Sequence, residues 1–180
     1  MLAGGAALLR TLAGNDENKK LIGDPESPTL KVLLRVSCDF LGCHGVACVP
    51  HLSRCLLQAL QMHMTSPKVA EHCCGAFAAL TLRSPENATT IVENAGHALI
   101  VRCMRLHLES SVVCRQACLA IRNMASRSPE LRSKILSEGV QPLLETIKEK
   151  HRSATDFAKA AIRDLGVDGL PTEATEEELA

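Results

Sequence analysis

The 180-residue sequence has no Trp, no Tyr and only three Phe. A core without aromatic rings has to be filled by Leu, Ile, Val, Ala and Cys. That disfavours a sandwich or barrel, whose strands prefer aromatic and β-branched side chains, and favours helices packed on helices. Charge of either sign is not in surplus: Lys plus Arg number 20 and Asp plus Glu number 20, so no long-range field gathers nucleic acid. No stretch reaches the roughly 18 apolar residues of a membrane span. The opening MLAGGAALLRTLAG lacks the basic start of a secretory signal, and Arg10 interrupts its apolar run. There is no Gly-rich phosphate loop, HExxH, GxSxG or CxxC, which points away from an enzyme. The chain is therefore expected in a reducing intracellular compartment, cytoplasmic with access to the nucleus. No cofactor, nucleic acid, membrane or small-molecule substrate is expected.

Cysteine is present in an odd and high number, nine, scattered among apolar residues. Most read as small buried hydrophobes. One run has metal-like content: Cys38, Cys43, His44 and Cys48, with His51 and Cys55 just beyond. Thiolate and imidazole are zinc ligands, but zinc modules pair separated knuckles, whereas these residues crowd together. An inert Cys-rich segment is the simpler reading, with a zinc- or thiol-dependent activity there as the alternative function. His72, Cys73 and Cys74 lie on a predicted helix, where neighbouring residues point about 100° apart and cannot easily share one ion.

The most informative positive feature is a phrase written four times: LRTLA at Leu9–Ala13, FAALT at Phe77–Thr81, IRNMA at Ile121–Ala125 and IRDLG at Ile162–Gly166. The starts at 9, 77, 121 and 162 are 68, 44 and 41 residues apart. The last two intervals match the ~40–47-residue period of two- and three-helix solenoid repeats. The excess in the first interval falls after Ile22, so residues 23–50 read as an insertion, with two alternatives open: a short amphipathic segment at Thr29–Leu41 or a stretch that stays mobile. Ser84-Pro85-Glu86 and Ser128-Pro129-Glu130 are helix-start signals, a capping residue followed by Pro and an acid. Gly96 and Gly139 suit left-handed stops to the short helices that follow. HALIVRCMRLHL and VQPLLETIKEK then read as second helices. In the third helix, Val113, Ala117, Ala120, Ile121 and Met124 recur at three- and four-residue spacing.

With Ala117–Ala125 reading ACLAIRNMA, the sequence resembles the armadillo repeat: a short helix ending at Gly, a second helix and a long third helix. The resemblance implies an all-α, armadillo-type α-solenoid, a right-handed superhelix of three-helix repeats. In that frame residues 1–13 end a truncated repeat, 14–82 form a repeat carrying the insertion, and 83–126 and 127–166 are two further repeats. Residues 167–180 form an acidic tail or cap. Because Met1 enters directly into a third helix, the chain is expected to be the C-terminal part of a longer solenoid.

In armadillo proteins the third helices line a groove in which Trp and Asn hold an extended peptide. The Asn place falls on Thr11, Ala79, Asn123 and Asp164, and only Asn123 matches. The Trp place falls on Ala7, Gly75, Leu119 and Ala160, so the stacking walls of nuclear-import adaptors are missing. Arg10, Arg122 and Arg163 stand just before the Asn place in three of the four units. They either face a ligand's carboxylates or phosphates, or tie each repeat to its neighbour. The resemblance thus implies a non-catalytic protein-interaction scaffold. Its candidate groove residues are Arg10, Thr11, Leu119, Arg122, Asn123, Arg163 and Asp164, and its partners are other proteins, including acidic extended segments.

Overall fold

The computed structural model describes residues 49–168. Among them are eight α-helices and no strand: α1 Val49–Met62, α2 Pro67–Thr81, α3 Pro85–Glu93, α4 Gly96–Leu106, α5 Ser111–Ser126, α6 Pro129–Leu136, α7 Val140–Lys150 and α8 Thr155–Leu165. The chain is all-α, a solenoid in which successive helix groups stack. The phrase at 9 and residues 23–48 of the expected insertion, with Arg10, Thr11 and the run from Cys38 to Cys48, lie outside the described residues, as does the acidic stretch after 168; residues 49 and 50 open α1.

Pro stands at the first turn of α2, α3 and α6, where its fixed φ suits the helix and its missing N–H is no loss. The Ser residues before two of these prolines hold the expected position without the expected bond. Ser84 Oγ turns to Glu86 Oε2 at 3.3 Å, and Ser128 Oγ is buried without a partner among the described residues. Ser110 does cap α5, accepting from the Val113 N–H at 3.5 Å. At the other end of α8, Gly166 sits at φ +80°. Its N–H and that of Val167 donate to Arg163 O and Ile162 O, at 3.0 and 3.3 Å. This is the Schellman arrangement that satisfies the last carbonyls of a helix.

The core runs unbroken along the stack and is aliphatic, as an aromatic-poor sequence requires. Among the described residues Phe77 is its one fully buried aromatic ring, beside Leu60, Leu80, Ile91, Ile100, Met104, Ile121, Met124 and Ile135. Cys73, Cys74, Cys103, Cys114 and Cys118 are free and buried in it. Burial pushes the Cys73 thiol up to about 12 and the Cys114 thiol to about 11, and raises that of Cys118 too. These groups are small hydrophobes rather than thiolates at neutral pH.

The central helix α5 packs most closely with α2 on one side and α8 on the other. Gly75, Ala76 and Ala78 on α2, and Ala158 and Ala161 on α8, are buried there. Their small size allows the close approach.

A second tie joins the groups at the turns between second and third helices. His63, His107 and His151 are 44 residues apart, and each begins such a turn. Their carbonyls accept from Ser66, Ser110 and Ala154 N–H at 2.9, 2.8 and 2.9 Å. The His107 ring Nε2 lies 2.6 Å from Met64 O, and the His151 ring Nε2 lies 2.6 Å from Leu108 O. Since a carbonyl can only accept, both rings carry their proton on Nε2. Each imidazole thus reaches back to the residue just after its counterpart one repeat earlier.

Candidate partner-binding surface

The surface begins with the helical period of α5. Val113, Cys114, Ala117, Cys118, Ala120, Ile121, Met124 and Ala125 are buried. The opposite stripe, Val112, Arg115, Gln116, Leu119, Arg122, Asn123 and Ser126, is left partly or fully open. Leu119, at the Trp place, is half-buried against the core. Its counterparts Gly75 and Ala160 are small, so one aliphatic side chain stands between two low neighbours instead of a wall of indoles.

Asn123 follows from how α2 ends. The last four carbonyls of a helix have no intrahelical partner, and those of α2 belong to Ala78, Ala79, Leu80 and Thr81. Asn123 Nδ2 donates to Ala78 O at 2.8 Å, and Asn87 Nδ2 donates to Leu80 O at 2.8 Å. The N–H groups of Leu82 and Ser84 serve Ala79 and Thr81, at 3.3 and 3.2 Å. All four acceptors are occupied, two of them by Asn side chains from later helices. Asn123 is therefore a bond between repeats, whatever else its amide oxygen meets.

At the other flank of α5 the Arg and Asp places meet. Arg122 Nε donates to Asp164 Oδ2 at 3.2 Å, while Arg163 Nε and Nη2 each lie 3.0 Å from Asp164 Oδ1. One carboxylate, with its side chain 15% exposed, holds two guanidiniums and leaves a net positive charge. Arg163 remains the open member, its side chain 63% exposed. Arg122, Asn123, Arg163 and Asp164 are thus placed on one surface, with Leu119 one turn before Asn123. Arg122 ties repeats together, and Arg163 points its charge to solvent.

Two features of this surface were not singled out from the sequence. Arg115 stacks over the Phe157 ring at 6.0 Å, a cation–π contact across adjacent third helices. A groove of about 390 Å³ opens beside α8, lined by Lys148, Asp156, Lys159, Ala160, Arg163 and Asp168 among others. The spacing of Asp156, Lys159, Ala160 and Arg163 (i, i+3, i+4, i+7) marks one helix face and was available as a signal.

Among the described residues no group of three or more His, Cys, Asp or Glu could hold a metal ion. The Cys38–Cys48 run falls outside them. No described helix is long and apolar enough to cross a membrane.

Neither the comparison with curated proteins nor that with solved structures returns a match. The comparison with protein-family models does. Residues 49–167, the same span that carries the eight helices and the two sets of ties between repeats, match the LRRK2 ARM repeat model, and the chain belongs to that armadillo-repeat family.

Proposed function

We propose that the chain is a non-catalytic scaffold that holds extended segments of partner proteins along the third helices α2, α5 and α8. The observation that carries this reading is the unequal use of one carboxylate. Asp164 binds two guanidiniums, one of which, Arg163, stays open beside the groove containing Lys159 and Ala160. An acidic segment gains a planar donor fork there, with Leu119 as an apolar contact nearby. Armadillo repeats generally serve as interaction scaffolds, and membership of the family supports that role for this chain. The finer likeness is to the C-terminal part of armadillo repeat-containing protein 6, resting on ALLRTLAGND, RQACLAIRNMASRS and AKAAIRDLG. The armadillo resemblance carries with it a right-handed superhelix, and the scattered unpaired cysteines favour a reducing, cytoplasmic location with access to the nucleus.

The test separates binding from stacking. Arg163→Ala, Arg122→Ala and Asn123→Ala are each assayed for thermal stability and for capture of cellular partners. Arg163→Ala weakens capture, more at low salt than at high, with little change in stability because Arg163 is exposed and Asp164 keeps its bond to Arg122. Asn123→Ala costs about 1 kcal/mol by leaving Ala78 O with only the longer bond from Thr81 Oγ1, at 3.4 Å. Unchanged capture with Arg163→Ala, in a folded protein, would sink the reading.

A further inference from the structure

A second surface lies on the second helices, away from the third-helix stripe. Large apolar side chains are exposed at few described positions, and two of these occupy the same place one repeat apart. Met62, the last residue of α1, is 65% exposed, and Leu106, the last residue of α4, is 53% exposed. Between them runs a groove of about 630 Å³ whose lining includes Gln61, Met62, Thr65, Arg102, Arg105 and Leu106. The lining has two guanidiniums and no carboxylate. Arg105 Nη2 donates to Glu138 O at 2.6 Å, a neutral acceptor that anchors the side chain without cancelling its charge. Among the described residues no carboxylate pairs with Arg102 or Arg105.

The next junction shows how the repeat closes this place when it is closed. Forty-four residues on, Leu106 becomes Lys150 and Thr65 becomes Glu109, and Lys150 pairs with Glu109 across the junction. The same position is an ion pair in one junction and an open apolar groove with two cations in the other. Repeat geometry therefore does not demand the apolar patch. A rimmed apolar patch on a soluble surface marks an interaction site.

We propose that this groove docks an acidic segment of a partner protein. The segment's Asp or Glu side chains meet Arg102 and Arg105, and an aliphatic side chain between them packs on Met62 and Leu106. The charge of the lining selects this partner: a basic or neutral apolar segment would leave both guanidiniums without counter-charge, whereas carboxylates match their donor forks. Because the groove uses α1 and α4, it stands or falls separately from the third-helix surface.

The test pans a random-peptide phage library on the full chain, then measures the enriched peptide, synthesised with a fluorophore, by anisotropy. The expected consensus combines two or more Asp or Glu with Leu, Ile or Met. Arg102→Glu and Leu106→Ser each weaken binding by about ten-fold or more, Arg102→Lys keeps most of it, and Arg163→Glu leaves it unchanged. Circular dichroism confirms that each variant is folded, as expected for exposed positions. Failure to enrich any peptide, a consensus without acids, or indifference to Arg102→Glu would each overturn the proposal. So would loss of binding with Arg163→Glu, which would assign the peptide to the third helices. Sedimentation with phosphatidylserine vesicles that Leu106→Ser abolishes, in the absence of peptide binding, would reassign the patch to an anionic lipid surface.

Discussion

The turns from first to second helix, at Ala95-Gly96 and at Gly139-Val140, occupy equivalent places 44 residues apart and solve the same problem differently. The chain must reverse through a left-handed residue before the second helix begins. In the later turn Gly139 takes that role, at φ +66° and ψ +38°; in the earlier one Ala95 takes it, at φ +57° and ψ +24°. Gly96, expected to be the left-handed stop, is instead the first residue of α4. Its reason is space. A Cβ there would lie 2.5 Å from Ile91 Cγ2, 2.9 Å from Ile91 O and 3.1 Å from Leu57 Cδ2. Gly139 meets only the movable Arg105 Nη2, at 2.9 Å. One glycine is there for conformation and the other for packing. Sequence punctuation alone does not distinguish them.

The sharpest way to break this contrast is Gly96→Ala. Because the clash includes backbone and a fully buried Ile, relief requires α3 and α4 to separate, and a loss of about 1–3 kcal/mol is expected in urea unfolding. The double change Ala95→Gly/Gly96→Ala should be no better than Gly96→Ala by more than a few tenths of a kcal/mol. Full recovery in the double variant would show that Gly96 serves conformation after all. Gly139→Ala follows, with an expected loss of about 1 kcal/mol from left-handed strain, since Arg105 can swing aside. Ala95→Gly is smaller still. It relieves strain of about 1 kcal/mol but returns ~0.4–1 kcal/mol of unfolded-chain entropy, so a rise in melting temperature of a degree or so is the outcome.

A last difference between the turns is titratable. His97 follows the first turn and Gln141 holds the matching place in the second. Burial lowers the His97 pKa below its ordinary value, against the opposing pull of Glu138, whose Oε1 is 3.8 Å from Nε2. Below about pH 6.5 the unfolded chain takes up a proton that the folded ring resists, so stability is full above that pH and declines as pH falls. His97→Gln should flatten this slope in thermal melts recorded from pH 7.5 to 5. An unchanged slope would remove His97 from the account.

Legibility in the sequence followed physical cause. The third helix α5 was readable because burial of one face imposes a three- and four-residue period, and α3 and α6 because Pro fixes a helix start. The role of Asn123 was half readable. Its place in the repeat was visible, but the acceptor, Ala78 O, belongs to a helix end 45 residues away. The histidine ties were missed even though His63, His107 and His151 keep a strict 44-residue interval. A lone His carries little propensity, and only the interval marked these three. The Met62 and Leu106 groove was invisible because both residues fit an amphipathic helix pattern equally well as core.

What the sequence determined by itself is the helical class, the repeat period and the aliphatic core. Each of these depends on local propensity and on which residues avoid water, and both are written in composition and spacing. Only the tertiary structure decided which neighbour each polar group answers to. Asp164 gathers Arg122 as well as the adjacent Arg163, His107 reaches Met64 O, and Gly96 yields its space to Ile91. Those choices depend on distances of a few ångströms between residues tens of positions apart. Such distances are set when the repeats stack and their small side chains fix how closely the helices approach.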